Sequence, residues 1–78
     1  MRCLTVQFIG PVRRPGPERS IEVDCSKFLT IRDVLTWLAY TADEQRALHV
    51  RLDGGVAQLE SSIANGKLLE ILMPIGGG

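Results

Sequence analysis

The feature that most constrains the fold is the run Leu68-Leu69-Glu70-Ile71-Leu72-Met73, apolar at every position but one. Asn65-Gly66 bounds it on one side and Pro74 on the other, so it is too short for a core helix and has the length of a strand. Alternation would place such a strand at a half-solvated position. Near-continuous apolarity places it in the middle of a sheet, covered more fully than its neighbours. Earlier parts of the chain must therefore supply strands for both of its sides.

Those strands are visible as period-2 segments. Leu4, Val6 and Phe8 share one face of a first strand over about 2–9, and Ile21, Val23 and Cys25 share one face of a second over about 19–25. Gly10-Pro11 and the breaker-rich stretch Arg13-Arg14-Pro15-Gly16-Pro17 separate them as an exposed loop. Thr30 opens a helix, with Asp33 three residues later placed well for the helix dipole. Ile31, Val34, Leu35 and Leu38 form one apolar stripe suited to covering a sheet, and Trp37 falls off its centre, where it is expected to close the edge of the core. Thr41 to Ala47 can hold a second helical turn. Leu48, Val50 and Leu52 alternate in a third strand that ends at Asp53-Gly54-Gly55, Val56-Ala57 forms a stub of a fourth, and 59–64 is irregular or a single turn.

A hairpin, a crossing helix and further strands pack as one mixed sheet of four to five strands with one main helix on one face. This is the α+β β-grasp (ubiquitin-like) arrangement, with the last strand beside the first. The expectation is a single domain over 1–78, with 74–78 as a protruding, flexible C-terminal tail.

Composition removes several function classes. Nine basic and nine acidic residues cancel, which argues against nucleic acid or an anionic membrane as the main partner. The 45% apolar content suffices for one small core, and no apolar run approaches the roughly 20 residues that span a bilayer. The N-terminus alternates and lacks a continuous apolar segment, so the sequence reads as cytoplasmic. The alternation also turns Cys25 inward and Cys3 outward, which argues against a disulfide, and no metal-ligand spacing is present. His49, Asp53 and Glu70 read as single exposed charges, and no P-loop, paired-acid motif or Ser/His/Asp set is found.

Val50-Arg51-Leu52-Asp53-Gly54-Gly55, Asn65-Gly66-Lys67-Leu68-Leu69-Glu70-Ile71-Leu72 and Met73-Pro74-Ile75-Gly76-Gly77-Gly78 occur in that order. They resemble the strand and "V-N-G" turn, the final strand and the glycine-ended tail of the ubiquitin-like sulfur carriers. Those carriers are the small subunit of molybdopterin synthase (MoaD) and the thiamine-pathway carrier (ThiS). The chain departs from them in Asp53-Gly54-Gly55, in Asn65-Gly66-Lys67 and in its proline-rich loop.

The resemblance implies a carrier, not an enzyme, whose Gly78 carboxylate is the reacting group. An E1-like adenylating enzyme would supply ATP and Mg²⁺, a persulfide would supply sulfur, and a synthase large subunit or thiazole synthase would receive it. Molybdopterin is favoured over thiamine thiazole, and no cofactor is bound by the chain itself. Gly76 and Gly77, lacking Cβ, would thread into a narrow partner site, with Pro74 and Ile75 positioning the exit. Docking is expected on the sheet face away from the helix, with Cys3, Thr5 and Gln7 and the outer residues of the last strand as candidates. Arg13, Arg14 and Arg19 are either steering charges or a solvated loop. Two other readings share these features: a protein modifier conjugated through Gly78, and a non-catalytic β-grasp interaction module.

Overall fold

The computed structural model describes residues 3–73. In chain order it contains β1 (Cys3–Ile9), β2 (Ser20–Asp24), a 3-10 turn (Cys25–Lys27), α1 (Ile31–Trp37), α2 (Ala42–Ala47), β3 (His49–Leu52), β4 (Gly55–Ala57) and β5 (Leu68–Leu72). The strands form one sheet in the order β2-β1-β5-β3-β4. β5 occupies the centre, parallel to β1 and antiparallel to β3, as its apolar run predicts.

Coverage of β5 differs from the expectation in one respect. Leu69 and Ile71 point into the core and are 0% exposed, while Leu68, Glu70 and Leu72 on the other face are half-buried. Among the described residues, no second layer covers that outer face. Its partial burial comes from flanking strands on both sides, a consequence of being central.

The core joins Leu4, Val6 and Phe8 of β1 with Leu69 and Ile71 of β5 and with Ile31, Val34, Leu35 and Leu38 of the helix stripe. Each such side chain contributes about 1.5–3 kcal/mol by leaving water. Capping fixes where α1 begins. The Thr30 hydroxyl accepts the Asp33 N–H at 3.3 Å, and the Asp33 carboxylate accepts the N–H groups of Thr30 and Leu29 at 3.2 and 3.0 Å. The next two N–H groups of the helix donate to the 59–64 connection, Ile31 to the Ser61 carbonyl and Arg32 to that of Leu59. This connection is irregular, as expected, yet it is strapped to the helix start and buries Ile63.

α1 ends in a Schellman motif: Tyr40 N–H donates to the Leu35 carbonyl and Ala39 N–H to that of Thr36. The left-handed position that motif needs is filled by Ala39 at φ 71°. Thr41 and Glu44 form a second capping box that starts α2, the short helix foreseen over 41–47.

The proline-rich loop is not simply solvated. Val12 is buried beneath it, and Arg13 donates to both carboxylate oxygens of Glu44, at 2.8 and 3.2 Å, and to the Ala39 carbonyl at 2.9 Å. The same guanidinium lies 4.9 Å from the Tyr40 ring centroid, and the Tyr40 hydroxyl donates to the Arg13 carbonyl. Arg13 thus clamps the loop to the α1–α2 junction, which removes it from the steering charges; Arg19 remains exposed.

Candidate functional site

Two strand pairings define the end of the sheet at which β5 finishes. Leu72, last residue of β5, sits between Ile9 at the end of β1 and His49 at the start of β3. Because β1 and β5 are parallel, both finish at the same edge. β1 is turned aside there by Gly10 at φ 74°, whereas β5 continues through half-buried Met73. Pro74, Ile75, Gly76, Gly77 and Gly78, the predicted tail and reactive terminus, lie outside the described residues.

The surface around this exit is the outer face of the sheet, the side away from α1. Alternation places Thr5, Gln7 and Ile9 of β1 there, with Leu68, Glu70 and Leu72 of β5, His49 and Arg51 of β3 and Val56 of β4. Val56 is 92% exposed. A groove of about 530 Å³ runs past the short β4, lined by His49, Arg51, Val56, Ala57, Leu72 and Met73. Arg51 lies across the ladder from Glu70 with its Nε 3.5 Å from the carboxylate, so this ion pair on the face cancels its own charge. The result is a largely neutral, partly apolar patch adjoining the end of β5. A patch of this kind suits partner contact.

Alternation alone assigned Cys3, Thr5 and Gln7 to this face, and the structure keeps them there: Cys3 and Gln7 are exposed and Thr5 is half-buried. It does not bring Cys3 to the exit. Cys3 pairs with Asp24 at the opposite end of the sheet, where it lines a depression with Cys25, Asn65, Gly66 and Lys67. Both thiols are free, Cys3 exposed and Cys25 buried.

Two readings of single residues change. Trp37 does not close the core edge: it is 58% exposed and leans on Phe28, with ring centroids 5.7 Å apart. Asp53 is not an idle surface charge. It adopts φ 52° beside Gly54 at φ 86° in a two-residue hairpin turn, and its carboxylate accepts the N–H groups of Lys67 and Leu68, each at 2.9 Å. Those two bonds hold its pKa below the ordinary carboxylate value and anchor the start of β5 to the β3–β4 turn. At the Asn65-Gly66 turn before β5 the two residues have separate roles. Asn65 takes the left-handed backbone at φ 66°, while a Cβ on Gly66 would lie 3.0 Å from both the Ile63 carbonyl oxygen and Leu52 Cδ1.

The site residues that sequence reasoning missed are Ile9, His49 and Val56; Leu72 is one of the outer residues of the last strand, which were expected here. The available signal was the centrality of β5, which implies that residues ending β1 and starting β3 flank Leu72. Among the described residues, no group of three or more His, Cys, Asp or Glu side chains could hold a metal ion. No helix in that range is long and apolar enough to cross a membrane.

No family model matches the chain, and no curated protein matches it. A solved structure does: SAMP1 from Haloferax volcanii, superposing with a TM-score of 0.74 over 99% of this chain and 100% of that one, at 20% sequence identity. The chain has the β-grasp, ubiquitin-like fold. Identity at this level carries the fold and nothing finer.

Proposed function

We propose that this chain is a sulfur carrier that acts as a co-substrate of partner enzymes, with the Gly78 carboxyl as the group they activate. The observation that carries the reading is positional. The sequence Pro74-Ile75-Gly76-Gly77-Gly78 follows directly on the central strand of a β-grasp sheet, at an edge bordered by a neutral, partly apolar face. A glycine thread has little affinity of its own, and Ile9, Leu72 and Val56 supply the adjoining surface on which an activating partner would seat.

The carboxylate must be energised because oxide is too poor a leaving group. Its oxygen attacks the α-phosphorus of Mg²⁺-bound ATP on an E1-like partner, and pyrophosphate departs. The terminal sulfur of a partner persulfide then attacks the acyl carbon and expels AMP. A second thiol cleaves the resulting acyl disulfide, forming a disulfide and leaving the Gly78 thiocarboxylate. That sulfur is delivered to a cofactor precursor bound on a synthase subunit, molybdopterin being favoured over thiamine thiazole. The chain supplies the acyl group and the docking face; metal, nucleotide and persulfide belong to the partners.

Intact-mass measurement after incubation with an activating enzyme, MgATP and a sulfur source tests the proposal. The expected result is a gain equal to the replacement of one oxygen by sulfur, localised to Gly78 and reversed on transfer. No gain with the cognate enzyme refutes it. Stable isopeptide conjugates on lysines, without sulfur loading, would assign the chain as a protein modifier instead. Full function with a residue appended after Gly78 would assign it as an interaction module.

A further inference from the structure

The groove beside the end of β5 has its cause in the strand lengths. β4 stops at Ala57, opposite Val50, while β3 begins one residue earlier at His49, which pairs with Leu72 of β5. His49 therefore has a strand on one side only, and a notch is left between Ala57 and the end of β5. Its walls are apolar at Ala57, Leu72, Met73 and the almost fully exposed Val56. Arg51 is its charged member. The Arg51 contact with Glu70 is long, 3.5 Å at Nε, and the Arg51 side chain is 46% exposed, so the five-donor guanidinium has room for a second carboxylate.

The occupant with the shortest path to this notch is the chain itself. Met73, which lines it, is followed directly by Pro74-Ile75-Gly76-Gly77-Gly78. Pro74 has no N–H with which to extend the β5 ladder. Ile75 is the one large aliphatic side chain that follows it, and the three glycines accept the dihedrals that a reversal of direction needs. Val56 lies two strands across from Leu72 and two residues back along the sheet, about 12 Å away. Three extended residues, from Leu72 to Ile75, span about 10 Å, and the Ile75 side chain covers the remainder. The glycines add about 10 Å more, enough to bring the Gly78 carboxylate back over β3 to Arg51.

We propose that in the free chain residues 74–78 fold back into this groove, with Ile75 against Val56 and Ala57 and the Gly78 carboxylate on Arg51. The groove of the same chain is a better seat than that of a second copy. Attachment at Met73 holds the segment at an effective concentration on the order of millimolar, which dilute copies do not match. A partner that seats on Leu72 and Val56 must displace the segment, so docking and release of the carboxylate become one event. Of the carrier reading, only the free carboxylate at Gly78 is needed here.

The test is nuclear magnetic resonance of the intact, isotope-labelled chain over a range of protein concentrations. The expected result is cross-relaxation between the Ile75 and Val56 methyl groups that does not change with concentration. Ile75→Ser should move the Val56 and Ala57 resonances, distant in sequence, and leave those of the buried core in place. Arg51→Gln, at a half-exposed position, should raise the titration midpoint of the Gly78 carboxyl, because a nearby guanidinium favours the charged form. Absence of the methyl contact, or an unchanged Gly78 midpoint in Arg51→Gln, overturns the proposal. So does a contact seen only between labelled and unlabelled chains in a mixed sample, which would place the segment on a second copy. A chain that loads sulfur at Gly78 without showing the methyl contact keeps the carrier reading and refutes this seat.

Discussion

Replacing Leu69 by Ala, and separately Leu72 by Ala, tests the assignment on which the site depends, the parity of β5. The two leucines look alike in the sequence, three positions apart in one apolar run. In the fold Leu69 is 0% exposed between the β1 and β3 core residues and beneath the helix stripe, while Leu72 is half-buried on the uncovered face. Truncating Leu69 loses its transfer free energy and leaves a cavity that neighbouring strands cannot fill, about 3–4 kcal/mol. Truncating Leu72 removes contact with flanking side chains only, about 0.5–1.5 kcal/mol. A domain of 78 residues has a total stability of about 4–12 kcal/mol, so Leu69→Ala should remove a quarter or more of it and lower Tm by roughly 12–30 °C. Urea unfolding followed by far-ultraviolet circular dichroism is the appropriate assay, because Trp37 is already exposed and its fluorescence reports the core weakly. Equal losses for the two variants, or a larger loss for Leu72→Ala, would show that the strand's faces are reversed and the exit surface misplaced.

Ala39→Gly should stabilise the protein by about 0.5–1 kcal/mol, since φ 71° strains an Ala more than the added unfolded-state freedom of Gly costs; chemical denaturation measures it, and a loss of stability contradicts the Schellman reading. A thiol reagent should titrate one cysteine rapidly in the native protein, Cys3, and both after denaturation; rapid modification of two would place Cys25 outside the core. Acid should destabilise the fold through Glu44, whose carboxyl is held down to about 2, first by the hydrogen bond from Arg13 and then by the Thr41 N–H. A depressed carboxylate contributes stability that is complete above its unfolded pKa, so this contribution should disappear between about pH 4.5 and 2. Arg13→Leu should flatten that part of the pH profile, and an unchanged profile would mean that the clamp is absent in solution.

Much of the architecture was legible because local patterns and the global fold agree. Alternation in 3–9 and 20–24, the helix stripe from Ile31 to Leu38, and the Thr30 and Thr41 caps each encode a structure within a few residues of themselves. The apolar run of β5 carried longer-range information, since near-continuous apolarity marks a strand flanked on both sides, as a central strand is. What escaped was set by partners distant in sequence. Arg13 reads as a loop charge until the fold delivers Glu44 and Tyr40 to it. Asp53 reads as a turn residue until β5 starts beside it. Trp37 reads as a core residue because its neighbours are, yet the helix is placed with that side turned outward.

The chain by itself determined the order of elements, the inward faces of β1 and β2, the fate of the two thiols and the glycine-rich character of 74–78. Each follows from periodicity, conformational preference or covalent structure, which act locally and need no knowledge of the rest of the molecule. Only the tertiary structure decided that Ile9, His49 and Leu72 meet at one edge, that Val56 lines the groove beside them, and that Trp37 leans outward on Phe28. The physical reason is that strand neighbours and surface patches are fixed by how separate segments share one core, and no single segment carries that information.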